Sequence, residues 1–99
     1  MNAFRDALLS EQLPASPVSE FGLKGRKQVV VFQGHCGILV NRKSRYLRKD
    51  ALAFLEIKSA VEDQLGTPQK GLVLLRRAPL CSKAKALLES SGVSIEVVD

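Results

Sequence analysis

The sequence predicts a single α/β domain in the order α-β-β-α-β-α-β, with a mixed four-stranded sheet and helices packed on it. Three observations lead there. Apolar runs of strand character (residues 28–32 and 71–75) flank a long segment of helical spacing (residues 45–65). Glycine and proline punctuate the joins, as Gly66 and Pro68 do after the long segment. The chain has 99 residues, of which 45% are hydrophobic and 25% charged. That is enough for one core without a disulfide or metal framework.

Taken in order, residues 2–12 place Phe4, Leu8 and Ala7 on one stripe of a short helix, which Pro14 is expected to end. Residues 13–25 hold two prolines and two glycines and read as a linker or wrapping loop within the single domain 1–99. Residues 28–32 and 38–42 are strands. The β-branched run Val29, Val30, Val31 favours the first, and residues 33–37, with two glycines, form the hairpin loop between them. Ser44 is a candidate cap for a helix over 45–65, where Leu47, Ala51, Phe54, Ile57, Val61 and Leu65 recur at helical spacing. Gly66 suits a left-handed end to it. The continuous apolar run 71–75 reads as a strand covered on both faces. Residues 81–91 form a helix closed by Gly92, and 93–98 alternate at the period of a strand. Strand, helix and strand in so short a span imply a right-handed βαβ unit with parallel strands.

No apolar run approaches the ~20 residues of a membrane span. Residues 1–12 carry Arg5, Asp6 and Glu11, which is unlike a secretory signal. Cys36 and Cys81 stand 45 positions apart, and the one histidine is His35, so no zinc-type ligand spacing exists. No metal or cofactor is expected, and free thiols fit a cytoplasmic protein.

Charge is the most informative property. The net charge is +5, but its distribution is uneven. Residues 24–49 contain Lys24, Arg26, Lys27, Arg42, Lys43, Arg45, Arg48 and Lys49 and no acid; the rest of the chain has seven bases and ten acids. That is the footprint of a polyanion binder. Within it, Arg42, Lys43, Arg45, Arg48 and Lys49 surround Tyr46, a residue able to stack on an unpaired base. A helix beginning near Ser44 would put Arg45, Arg48 and Lys49 on one side, beside backbone N–H donors that suit phosphate. Lys83 and Lys85 belong to a different charge region of the sequence. The expected function is thus a small non-enzymatic protein binding DNA, RNA or another acidic macromolecule through residues 24–49. The alternative is a protein-interaction module, such as a homodimer through residues 93–98.

Three further patterns bear on chemistry. In residues 71–99, Ala78-Pro79-Leu80-Cys81, Lys83-Ala84-Lys85, Leu87-Leu88 and Gly92-Val93 follow in the order of the opening βαβ unit of glutaredoxins, which this stretch resembles. The preceding helix, hairpin and long helix would make the whole chain a circularly permuted thioredoxin-like arrangement. The position matching the attacking cysteine of that family is Ala78, which leaves only Cys81. Second, Glu56-Ile57-Lys58 after an apolar stretch resembles the metal-binding end of restriction-endonuclease-like nucleases. The resemblance implies magnesium on Asp50 and Glu56 and Lys58 beside the attacked phosphate. That chemistry needs Glu56 and Lys58 to point the same way on a strand, whereas the helical spacing sets them about 200° apart. Third, His35-Cys36 is a nucleophile pair only if its members face each other, and strand neighbours point apart. The Ala78 substitution gives a direct expectation. The protein should not catalyse glutathione-dependent disulfide reduction. A reductase assay showing activity that disappears in Cys81→Ser would contradict it.

Overall fold

The structure, a computed structural model, describes residues 3–25 and 27–98. It is one α/β domain of three layers. Helix α1 (Ala3–Leu9) lies on one face of the sheet; α2 (Arg48–Leu65) and α3 (Ser82–Ser90) lie on the other. The strands are β1 (Ser16–Pro17), β2 (Gln28–Phe32), β3 (His35–Asn41), β4 (Lys70–Arg76) and β5 (Ser94–Val98). They order as β1-β2-β3-β4-β5; the first two pairings are antiparallel and the last two parallel. β4 is an interior strand between β3 and β5, and its residues 71–75 are buried, as their continuous apolar run requires. β4, α3 and β5 form the parallel βαβ unit read from the sequence. Among the described residues no helix is long and apolar enough to cross a membrane.

The sheet has five strands rather than four. The additional one is β1, drawn from the stretch read as a linker, where Ser16 pairs with Val29 and Pro17 with Gln28. A turn of 3-10 helix at Val18–Phe21 follows it and carries Val18, 2% exposed, into the core. The segment is therefore a strap closed onto the domain.

α1 ends at Leu9, before Pro14 can act. The N–H of Gln12 donates to Ala7 O and that of Glu11 to Leu8 O, with Glu11 at φ 56°. This is a Schellman ending with glutamate in the left-handed position. Seven residues are too few for an independent helix. Burial of Phe4 and Leu8 against Val30, Leu72 and Leu74 supplies roughly 3–6 kcal/mol to hold it. Arg5 adds a two-pronged bond to Glu96 of β5, Nε to Oε2 at 2.6 Å and Nη2 to Oε1 at 2.5 Å.

The hairpin loop is two residues, not five. Gln33 (φ 48°) and Gly34 (φ 82°) both take the left-handed conformation that a tight, twist-matched hairpin turn requires. Gly37 therefore lies inside β3, and for a packing reason. A Cβ there would stand 2.8 Å from Phe4 Cε2, 2.9 Å from Leu72 O and 2.9 Å from Leu8 Cδ2. α1 crosses the sheet over a missing side chain. Gly37→Ala should destabilise the domain by roughly 1–3 kcal/mol through overpacking, and lower Tm by about 5 °C or more. An unchanged melting curve would contradict the placement of α1.

Candidate nucleic-acid interface

β3, β4 and β5 run parallel, so their carboxyl ends lie along one edge of the sheet, with Asn41 opposite Arg76 and Arg76 opposite Val98. In open α/β sheets this edge is where ligands bind. Both long helices begin here. Tyr46 ties the two starts together: its N–H donates to Pro79 O at 2.8 Å and its C=O accepts the N–H of Cys81 at 3.1 Å. This one-residue parallel bridge, Tyr46 to Leu80, binds the segment before α2 to the segment before α3.

The Tyr46 ring is buried at 1% exposure, and its hydroxyl donates to Asp50 O at 3.2 Å. Burial pushes the phenol pKa up, so it stays protonated. Of the two roles open to Tyr46 from the sequence, stacking on a base or packing on the sheet, the structure shows the second: Tyr46 is a core residue.

Arg42 is also partly engaged. Its guanidinium lies 5.7 Å from the centre of the Tyr46 ring. It donates to Arg45 O at 3.1 Å, Ser44 O at 3.4 Å and Asp50 Oδ2 at 2.8 Å. These bonds fold residues 42–46 into a turn. In consequence α2 starts at Arg48 with Leu47 as its N-cap, not near Ser44. Asp50 makes the cap from the third helical position by accepting the Leu47 N–H at 2.8 Å. Partial burial pushes the Asp50 carboxyl up, but the Leu47 N–H, the Arg42 hydrogen bond and the charges of Arg42 and Lys27 outweigh this and hold it below the usual range.

The remaining basic side chains are exposed. Lys43 and Arg45 lie on the turn, and Arg48 and Lys49 in the first turn of α2. Arg45 is thus off the helix, contrary to the one-sided stripe expected from its spacing. Lys27 flanks the same region, since its charge acts on Asp50. Lys24 is farther along α2, beside Ala53 and Glu56. Arg26 lies outside the described residues. Lys83, assigned to another charge region by sequence, joins this edge. Cys81, the N-cap of α3, has its thiol pKa lowered first by the N–H groups of Ala84 and Lys83, then by the charges of Arg45 and Lys83. Two basic groups more than thirty positions apart in sequence therefore act on one sulfur.

The other sequence patterns are not assembled into sites. Glu56 and Lys58 lie in α2, so the strand that the metal-binding reading requires is a helix. Asp50 is a cap, Glu56 is exposed, and Lys58 pairs instead with Glu62 at 2.9 Å. Among the described residues no group of three or more His, Cys, Asp or Glu could hold a metal. His35 stacks on Phe4 at 5.0 Å on the α1 face. Cys36 is buried on the opposite face, where desolvation pushes its thiol up to about 11. Ala78 is 1% exposed in the core. Compared with protein families, curated proteins and solved structures, the chain matches none.

Asp50 gives the site a pH signature. A lowered folded pKa contributes stability that is complete above about pH 4, the unfolded range of aspartate. It is lost as pH falls through the lower folded value. Asp50→Asn should therefore reduce Tm most at neutral pH, with the gap to wild type narrowing below about pH 4. A gap independent of pH would contradict the ionised cap.

Proposed function

We propose that the protein binds nucleic acid through the carboxyl edge of its parallel strands, contacting phosphates with Lys43, Arg45, Arg48, Lys49 and Lys83 and acting without catalysis of its own. One observation carries this reading. Arg45 and Lys83 come from separate stretches of sequence and converge where two helices begin. Exposed cations, backbone N–H groups and the positive ends of two helices all favour an anion there. Arg42 and Lys27 contribute from behind, with Arg42 partly neutralised by Asp50.

A second reading is homodimerisation through β5. It is an edge strand, Val97 is 51% exposed, and its one charged residue, Glu96, is held by Arg5. It lacks the lysine or proline that commonly blocks edge pairing.

The test of the first reading is fluorescence anisotropy with DNA and RNA oligonucleotides across a salt series. If about five phosphates are neutralised, log affinity should fall with log salt at a slope near ~−4.5, and raising salt from about 50 to about 200 mM should weaken binding roughly 500-fold. Arg45→Glu and Lys83→Glu should each reduce the slope by about one and weaken all sequences alike. Lys70→Glu, at the amino end of β4, should leave binding unchanged. Absence of binding at about 50 mM salt, where such contacts are strong, would overturn the reading.

A further inference from the structure

We infer that the cavity between β2, β3 and α2 receives one unpaired nucleobase, so that the protein prefers single-stranded nucleic acid or a frayed end to an intact duplex. This rests on the nucleic-acid reading above and adds to it which form of the polymer is bound.

The cavity arises from an interrupted ladder. β2 pairs with β3 only where Val30, Val31 and Phe32 meet Gly37, Cys36 and His35. β3 continues to Asn41 beside β4. Residues 38–41 therefore have a ladder partner on the β4 side alone, and a gap opens between them and Gln28. The gap is a cavity of about 240 Å³ whose apolar walls include Ile38, Val40, Phe54 and Ile57. At its mouth stand Lys27, Gln28, Arg42 and Asp50.

Size and chemistry suit one occupant. Sites for drug-sized ligands have about 300–1,000 Å³, so this cavity fits a single ring system and not a whole nucleotide. Ile38 and Val40, which are partly exposed, would cover a face of a planar heterocycle above a floor formed by the buried Phe54 and Ile57. The Gln28 amide, the Asp50 carboxylate and the unladdered edge of β3 offer donors and acceptors to the rim of the ring. Lys27 and Arg42 at the mouth suit the flanking phosphates, and the exposed cations of the turn after β3 continue in the same direction. In a duplex the base is stacked and paired, and reaching the cavity requires unstacking it. A single strand presents it at no such cost.

The probes are a short blunt DNA duplex, the same duplex with a single-stranded thymidine tail, and the same tail made of abasic nucleotides. The abasic tail keeps every phosphate and removes every base, so phosphate attraction cancels in the comparison. Wild type should prefer the thymidine tail to the abasic tail about tenfold, within the range of one sequestered base. Gln28→Trp, at the exposed mouth, and Val40→Phe, in the wall, should abolish that preference by filling the cavity; thermal melts identify which variants are folded. Equal affinity of wild type for both tails overturns the inference and leaves the nucleic-acid reading standing. A preference retained by the folded, filled variants also overturns it, because the base then sits elsewhere. Failure to bind all three probes overturns the nucleic-acid reading itself.

Discussion

The candidate interface depends on the backbone of Tyr46. A parallel sheet with helices on one face sets both helix starts at the same edge, but not at a fixed spacing. Tyr46 sets that spacing by bonding through its N–H and its C=O to the Pro79–Cys81 stretch. The ring then locks the bridge from below. It is buried between the sheet and α2, with its hydroxyl on the backbone of Asp50 and the Arg42 guanidinium over its face. Truncating so large a buried ring would cost about 3–5 kcal/mol. The loss would fall on the join between the turn that carries Arg45 and the segment leading into α3, where Lys83 lies. Asp50 completes the assembly by accepting the Leu47 N–H and pairing with Arg42, which sets one carboxylate among the cations where α2 begins.

Much of the fold is legible in the sequence because burial follows period. Even-numbered residues of β3 face α2 and α3, and Gly37 and Leu39 face α1. The apolar residues of α2 fall at its helical spacing, with Ala51, Phe54, Ile57 and Val61 buried. What escaped local reading was fixed by contacts distant in sequence. Gly37 looks like a loop glycine, yet it is a strand residue whose missing side chain admits Phe4 and Leu8. Ser16 and Pro17 carry no strand pattern and become one by pairing with β2. Ser44 is a good cap by type, but the bonds from Arg42 hold its segment in a turn and move the helix start to Arg48.

The candidate site divides the same way. The run of cations was plain in the sequence, because charge density needs no structure to be counted. Which cations remain available was not. Arg42 is tied to Asp50 and to two carbonyls, and Tyr46 is in the core, although the same short segment presents Lys43, Arg45, Arg48 and Lys49 to solvent. Lys83 was legible only as one more base near an acidic half. Its proximity to Arg45 follows from the Tyr46–Leu80 bridge, a contact of one residue pair that no local pattern announces. The cavity beside Arg42 was equally hidden. It lies where the β2–β3 ladder stops at Val30 and Gly37 while β3 runs on to Asn41 beside β4.

The placement of charge on the two long helices runs against their own energetics, and in one direction. Cations are favoured at a helix C-terminus and anions at an N-terminus, each by about 0.3–1 kcal/mol at exposed positions. α2 opens with Arg48 and Lys49 and closes near Glu62 and Asp63, with no basic residue in its last turn. α3 has no acid in its first turn, which holds Lys83, and none of its last-turn residues is basic, while Glu89 is there. Asp50 is the exception, and it serves as the cap. If surface charge only kept the chain dissolved, the two helices would have no reason to depart from the dipole rule in the same sense. Because they are parallel neighbours, the departures add. The cations at the helix starts reinforce the positive ends of both helix dipoles at the carboxyl edge of the sheet. A field of that sense is what the proposed polyanion binding requires. It weakens each helix locally in exchange for a directed surface, and breaking a local rule is what a functional site is expected to do.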